Sequence, residues 1–380
     1  MLAKTKPDEK IVDNPQSGDS VSFLDGGARA FPRMLDAIRD AQGSIHLEVY
    51  AFALDSTGHR FVEALVGAAR RGVAVTVVID GWGSLRSGRT VAARLREGGC
   101  DVTLFNPLRD LFLGRLRRNH RKLLLVDDRV VFIGGINIGD DYVDGERLGW
   151  VDLALEVKGP SVVRLRHSLQ GLRSRTAPGT AVRILLSGRG GGRKLLKRYL
   201  RALRTASTRV LLAHAYFLPN RRLIRALTSA ARRGVRVVLL LAGQSDVPFA
   251  HAATMRLYKK FLTAGVEVYE WNRSVLHAKA AAIDGRVFLV GSFNLDPLSL
   301  ANLEALVEVR ESTAAEKGEQ WIESKLAQAR RVDASFYSRP WIKRWLTDVV
   351  GLWAARGAEW IGRLLAQGGR PRRKRRVKPG

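Results

Sequence analysis

The sequence predicts an α/β protein made of two copies of one unit related by a pseudo-twofold axis. Each copy is expected to hold a mixed, mostly parallel sheet covered by helices, and an amphipathic C-terminal helical segment follows. Three observations carry this reading. A polar pattern, HxKxxxxD, occurs twice: NHRKLLLVDDRVVFIGGIN holds His120, Lys122 and Asp127, and LHAKAAAIDGRVFLVGSFN holds His277, Lys279 and Asp284. Each copy reaches an Asn seventeen residues past its His, at Asn137 and Asn294. The surroundings repeat as well, FVEALVGAARRGVAVTVVIDGWGS (61–84) answering LIRALTSAARRGVRVVLLLAGQSD (223–246). Three polar residues in register arise by chance, but self-similarity over whole supersecondary units is a fold-level signal.

In chain order, SIHLEVYAF (44–52) reads as a strand, residues 61–84 as an amphipathic helix, a Gly turn and a buried strand, and GGCDVTLFNP (98–107) as a turn and a further strand. RVLLAHAYFLPN (209–220), residues 223–246 and AGVEVYEWN (264–272) give the same series. Strand, helix, strand, helix, strand with short Val/Ile/Leu strands is the pattern of a parallel sheet with helices on its faces. The motif hairpins are expected to add strands where the repeats meet. The boundaries follow: an N-terminal extension (1–19), repeat 1 (20–173), a linker SRTAPGTA (174–181), repeat 2 (182–312), a helical segment (313–369) and a polybasic tail (370–380).

A chain of 380 residues can build two cores of ordinary domain size. Cys100 is the only cysteine, which excludes an intrachain disulfide and a cysteine-based metal cluster and agrees with a reducing compartment. The opening MLAKTKPDEKIVDNPQSGDS has no apolar signal core, and no stretch reaches the roughly 18–20 uncharged apolar residues of a membrane span. An integral membrane protein is therefore not expected. The formal charge of +28 concentrates polyanions, whether anionic lipid or nucleic acid, at the surface. In WIKRWLTDVVGLWAARGAEWIGRLLAQ (341–367), Trp341, Trp345, Trp353 and Trp360 alternate with Lys343, Arg344, Arg356 and Arg363, and the tail GGRPRRKRRVKPG carries no acid. That combination reads as an interfacial anchor for an anionic membrane, set against a helix packed on the core.

On a strand, His and Lys two apart point to one face. Two such pairs meeting across a pseudo-twofold place two imidazoles, two ammonium groups and two amides in one site. This set suits a phosphodiester: Lys122, Lys279, Asn137 and Asn294 bind the non-bridging oxygens, one His attacks phosphorus and the other protonates the departing oxygen. Asp152 and Glu304, on the strands after each motif, are the candidates to hold the other ring nitrogens. Asp127 and Asp284 complete the motif set but fall at DDR and DGR, where a hairpin turn is expected, and read as structural. Lys stands where a further metal ligand would be wanted, so no metal and no cofactor is expected.

With these residues the chain resembles the phospholipase D superfamily, whose members carry two HxKxxxxD motifs followed by GG or GS and Asn. The resemblance covers about residues 20–312. Within the superfamily the chain is most similar to bacterial cardiolipin synthases of the short B-type branch, through NHRK (119–122), GGINIGDDY (134–142), WVD (150–152) with GP (159–160), SDVP (245–248) and GSFNLDPLSLANLEA (291–305). Many relatives have Arg where this chain has Leu298, which removes any role for that Arg here. The resemblance implies a phosphatidyltransferase that makes cardiolipin from phosphatidylglycerol through a phosphohistidine. It implies His120 as nucleophile and His277 as general acid/base, with Asp152 orienting His120 and Glu304 orienting His277. It also implies an anionic membrane as partner and a peripheral location on the cytoplasmic side of the bacterial inner membrane. A hydrolase or metal-independent nuclease is the second reading, since phosphodiester chemistry and positive charge suit nucleic acid too.

Overall fold

The computed structural model describes residues 12–13, 18–107, 117–143, 148–171, 180–188, 191–244 and 248–333. Within it the first repeat runs β1 (Val12–Asp13), β2 (Ser20–Asp25), α1 (Gly26–Asp40), β3 (Ser44–Val49), α2 (Ser56–Arg70), β4 (Ala74–Asp80), α3 (Gly88–Glu97), β5 (Asp101–Phe105), β6 (Leu123–Val126), β7 (Val130–Gly134), β8 (Leu153–Lys158) and α4 (Pro160–Leu169). The second runs β9 (Val182–Leu186), α5 (Arg193–Thr205), β10 (Arg209–His214), α6 (Arg221–Arg232), β11 (Arg236–Ala242), α7 (Pro248–Thr263), β12 (Glu267–Trp271), β13 (Lys279–Ile283), β14 (Val287–Gly291), β15 (Ala305–Val309), α8 (Ser312–Leu326) and β16 (Arg330–Val332).

The helices that repeat in sequence repeat in their local chemistry. The Asp55 carboxylate caps α2 by accepting from Gly58 N at 2.9 Å, and Asn220 caps α6 by accepting from Arg222 N and Leu223 N. Phe61, Leu65 and Ala68 form the buried stripe of one, Leu223, Leu227 and Ala230 that of the other. Each helix stops where the chain must turn left-handed, at Gly72 (φ 91°) and Gly234 (φ 89°), before re-entering the sheet.

Both sheets have eight strands, in the orders β1-β2-β8-β7-β6-β3-β4-β5 and β16-β12-β11-β10-β13-β14-β15-β9. They are mixed, but the parallel share is smaller than the alternation of elements predicts. Only β3–β4, β4–β5, β10–β11 and β11–β12 pair in parallel. The motif strands and their return strands are joined by tight turns, which permit antiparallel pairing alone. The turns are the expected ones: Asp127 and Asp128 have φ of 51° and 54°, and Asp284 and Gly285 have 54° and 63°.

Along β6 the side chains alternate between two cores. Leu124 and Val126 join the helices of repeat 1, whereas Leu123 and Leu125 face repeat 2. The middle core takes Ile133, Leu155 and Val157 from one sheet and Leu240, Val290 and Val307 from the other, so one continuous apolar layer joins the halves. The hairpins thus lie at the seam, as expected. One boundary needs correcting. Residues 313–332 belong to repeat 2 and are not part of a surface segment: α8 buries Ala314, Ala315, Trp321 and Ile322 in the middle core, and β16 pairs antiparallel with β12. The Trp-rich stretch 341–367 and the tail lie outside the described residues. No helix among those described is long and apolar enough to cross a membrane.

The motif aspartates hold the hairpins at the end remote from the histidines. Asp127 accepts from the backbone N–H groups of Gln42, Gly43 and Ser44 at 2.7–2.9 Å, and Asp284 accepts from those of Ser207, Thr208 and Arg209 at 2.9 Å. Burial pushes the Asp284 carboxyl upward, but the three N–H donors outweigh it and hold it near 2. Its contribution is therefore complete above the ordinary Asp range and fades as pH falls toward 2. Asp284→Ala should lose about 1–3 kcal/mol of stability at pH 7. The gap from wild type should close in acid, as read by denaturant melts across pH.

Candidate active site

His120 and His277 lie just before β6 and β13, and each is fixed by backbone pairing with the opposite repeat. His120 N donates to Leu303 O at 2.8 Å, and Leu303 N donates to Arg118 O at 2.8 Å. In the other half His277 N donates to Val151 O at 2.8 Å, and Val151 N to Val275 O at 2.8 Å. Leu303 and Val151 immediately precede Glu304 and Asp152, so each carboxyl arrives beside the histidine of the other repeat. The pairing expected from chain order is thereby reversed. His277 Nδ1 meets Asp152 Oδ2 at 2.6 Å, and His120 Nδ1 meets the Glu304 oxygens at 3.0 and 3.1 Å. Both carboxyl side chains are fully buried.

A backbone carbonyl fixes the tautomer of His120. Ser292 O lies 3.1 Å from Nδ1 and can only accept, so Nδ1 carries the proton and Nε2 keeps its lone pair. At His277 the Asp152 carboxylate accepts from Nδ1, with the Tyr142 hydroxyl 3.2 Å from the same nitrogen. The pseudo-symmetry is imperfect where it touches these carboxyls. Ser292 donates its hydroxyl to Glu304, whereas its counterpart is Gly135. A Cβ at Gly135 would sit 2.3 Å from Asp152 Oδ1, so only glycine leaves room for this carboxyl.

Both lysines lie close enough to bear electrostatically on both histidines. Lys122 Nζ donates to His120 O at 2.9 Å and lies 4.9 Å from the Tyr50 ring centroid. Lys279 donates to His277 O and lies 5.8 Å from the Tyr216 ring. Burial and the charge of Lys279 pull Lys122 down to about 7. Burial, then Lys122 and Lys279, press His120 well below the usual histidine range. Burial and Lys279 lower His277 to about 4, with Asp152 pulling the other way. Burial lifts Glu304 to about 8 against the pull of Lys122. At neutral pH His120 and Glu304 are thus an uncharged pair, and the Lys122 and Lys279 ammonium groups repel each other in a low dielectric. An anion placed between them relieves that repulsion and raises the proton affinity of Lys122. Sign and window follow. Anion binding is level below about pH 7 and weakens by up to about tenfold per unit above it, as Lys122 must take up a proton. The inhibition constant of a soluble dialkyl phosphodiester, measured from pH 6 to 9, checks this.

The amides differ from the symmetrical expectation. Asn137 Oδ1 accepts from Ala51 N at 3.1 Å and Nδ2 donates to the Tyr142 hydroxyl at 2.9 Å, so Asn137 braces Tyr142 beside His277. Asn294 Oδ1 is buried without a hydrogen-bond partner among the described residues. Asp80 and Glu48 further pin the first motif, accepting from Asn119 N at 2.8 Å and Asn119 Nδ2 at 2.7 Å. Sequence reasoning assigned nothing to Tyr142, Ser292, Tyr50, Tyr216 or Trp150, whose ring lies 5.5 Å from His277. Tyr142 falls opposite Ser299 in the other copy, so the repeat gave no signal for it. No group of three or more His, Cys, Asp and Glu able to hold a metal ion occurs among the described residues.

Comparison with known proteins agrees with this geometry. A family described as "Cardiolipin synthase, PLD-like domain" matches residues 34–164 and 199–326. The chain is 34% identical over 321 residues to cardiolipin synthase B of Escherichia coli, covering 78% of each chain. It is 27% identical over 350 residues to a probable cardiolipin synthase of Bacillus subtilis, covering 86% of this chain and 70% of that one. Among solved structures it is similar to a phosphatidylserine synthase of Haemophilus influenzae, with a TM-score of 0.70 at 15% identity over 93% of this chain and 97% of that one, a likeness of fold. The duplicated motif, the crossed histidine–carboxyl pairs and the family match over both repeats together place this chain in the cardiolipin synthase-like, phospholipase D-like family.

Proposed function

We propose that this protein is a phosphatidyltransferase that makes cardiolipin from phosphatidylglycerol through a phosphatidyl group held on His120. The observation that supports it best is the meeting of two histidines, each with an acceptor on Nδ1, around two buried lysines. The Nε2 lone pair of His120 attacks phosphorus. The P–O bond to the glycerol headgroup breaks, and the departing oxygen takes a proton from His277. In the second half His277 removes the proton from a hydroxyl of a second phosphatidylglycerol, that oxygen attacks phosphorus, and the P–N bond breaks to restore His120. Lys122 and Lys279 stabilise charge on the non-bridging oxygens, Asn294 adds an amide from the second repeat, and Asn137 acts through Tyr142.

Assigning the acid to His277 is supported by its partner. Asp152, at 2.6 Å, holds an imidazolium once a substrate phosphate offsets the lysine charge that otherwise keeps His277 near 4, whereas Glu304, lifted to about 8, adds little negative charge beside His120 at neutral pH. The homologues named cardiolipin synthase support the lipid substrate. The +28 charge and the basic, Trp-rich C-terminal stretch support peripheral attachment to an anionic bacterial membrane on its cytoplasmic face. The test is to incubate purified protein with labelled phosphatidylglycerol vesicles and, separately, with labelled single-stranded DNA, both in EDTA. Labelled cardiolipin is the expected product. DNA cleavage without lipid turnover would establish the nuclease reading, and turnover only after a divalent ion is restored would overturn the role given to the lysines.

A further inference from the structure

The large apolar side chains left exposed among the described residues gather largely at one place. Among the described residues five stand out: Trp82 (47% exposed), Leu85 (55%), Leu148 (50%), Leu298 (38%) and Val163 (46%). Four of them leave from one end of the two sheets. Trp82 and Leu85 follow the C-terminal end of β4, Leu148 precedes Asp152 and β8, and Leu298 lies between Asn294 and β15. The strand registers put these points level with the histidines: Glu48 pairs with Leu123 just after Lys122, Gly134 with Ala154 just after Asp152, and Gly291 with Leu306 just after Glu304. Val163, the exception, sits in the first turn of α4, at the opposite end of β8. Single exposed apolar residues are ordinary, but four gathered around one site are the mark of a surface that meets an apolar partner.

Their neighbours say which partner. The Arg118 guanidinium lies 5.1 Å over the Trp82 ring, Arg86 and Arg89 are exposed in the same stretch as Trp82 and Leu85, and Arg273 is exposed beside Leu148. Leu148 and Arg273 line a cavity of about 210 Å³ at the seam between the repeats, whose walls include Tyr142 and Trp150, the rings packed on His277. Indole and leucine side chains flanked by guanidinium groups match the boundary between acyl chains and anionic headgroups.

We propose that the catalytic face is itself a membrane-docking surface: Trp82, Leu85, Leu148 and Leu298 insert into an anionic phospholipid bilayer while the adjacent arginines bind its phosphates, so that a phospholipid reaches the histidines without leaving the membrane. This rests on the phospholipid substrate proposed above and does not depend on the C-terminal stretch.

The full-length triple variant Trp82→Ser/Leu85→Ser/Leu148→Ser tests it, with melting temperature as the control for folding. Turnover of phosphatidylglycerol in vesicles at limiting lipid should fall by about tenfold or more. Turnover of a water-soluble phosphodiester should stay within about twofold of wild type. Equal loss on both substrates, or on neither, would overturn the docking surface. A second arm does not need lipid turnover. Tryptophan fluorescence of wild type and Trp82→Phe is compared on phosphatidylglycerol vesicles carrying lipids brominated near the headgroup. Quenching should be greater for wild type. Identical quenching would reject insertion of Trp82 even if the enzyme proves to act on another phosphodiester, and Trp82-dependent quenching by single-stranded DNA but not by vesicles would assign the face to nucleic acid.

Discussion

His120→Ala and His277→Ala should each lower turnover of phosphatidylglycerol by about 10⁴-fold or more while leaving the protein folded. The two residues do different work at one phosphorus, and neither can stand in for the other once its ring is gone. The double variant should be little worse than either single one, because the groups act as a unit. The substitutions remove no hydrogen bond from a sheet ladder: His120 N to Leu303 O and His277 N to Val151 O are backbone contacts that alanine keeps. Thermal melts within a few degrees of wild type are therefore expected alongside the loss. Near-normal turnover in either variant would refute the two-histidine reaction.

The second large effect concerns the crossed carboxyls. In Asp152→Asn the amide donates to Nδ1 of His277, which moves the imidazole proton to Nε2 and leaves no carboxylate to hold the cation, and a loss of about 10²–10⁴-fold is expected. Glu304→Gln should cost less, because Ser292 O keeps the proton on Nδ1 of His120 and Glu304 is largely uncharged at neutral pH. The two variants should part when the leaving group changes. With a nitrophenyl phosphodiester, whose departing oxygen needs no proton, Asp152→Asn should recover most of its deficit in the first-turnover burst of nitrophenol, because the acid step it impairs is not required there. Glu304→Gln should show no such recovery, since it bears on the nucleophile and not on the departing oxygen. If each carboxyl served the histidine of its own repeat, the rescue would appear in Glu304→Gln instead.

This crossing marks the limit of what the chain order could reveal. Both carboxyls were legible, because each follows its motif at the start of a Leu/Val-rich strand. Their partners were not, because the choice depends on Asn119 pairing beside Leu303 and Leu276 beside Val151, contacts between halves that no spacing encodes. The fold was legible for a related reason. The buried stripes of α2 and α6 and the turns at Asp127 and Asp284 are local patterns that occur twice. The share of parallel pairing was overstated because β6, β7, β13 and β14 supply antiparallel partners in the middle of each sheet. The end of repeat 2 was placed too early for a subtler reason. α8 buries a mixed set, Ala314, Ala315, Gly318 and Glu319 together with Trp321 and Ile322, so in sequence it merges with the tryptophan-rich stretch behind it. Tyr142 and Ser292 break the pseudo-symmetry, and a reading built on repetition passes over the positions where the copies differ.

The central claim is that the phosphatidyl group travels on His120. The most direct measurement is to mix the enzyme with phosphatidylglycerol labelled in its phosphate, quench into alkali within milliseconds to preserve a phosphoramidate, and locate the label by peptide mass spectrometry. The account predicts label on the peptide containing His120 in the wild type, diminished in His277→Ala, where the departing oxygen lacks its acid, and absent from His120→Ala. Label on His277, or full turnover with no labelled histidine at any quench time, would contradict it.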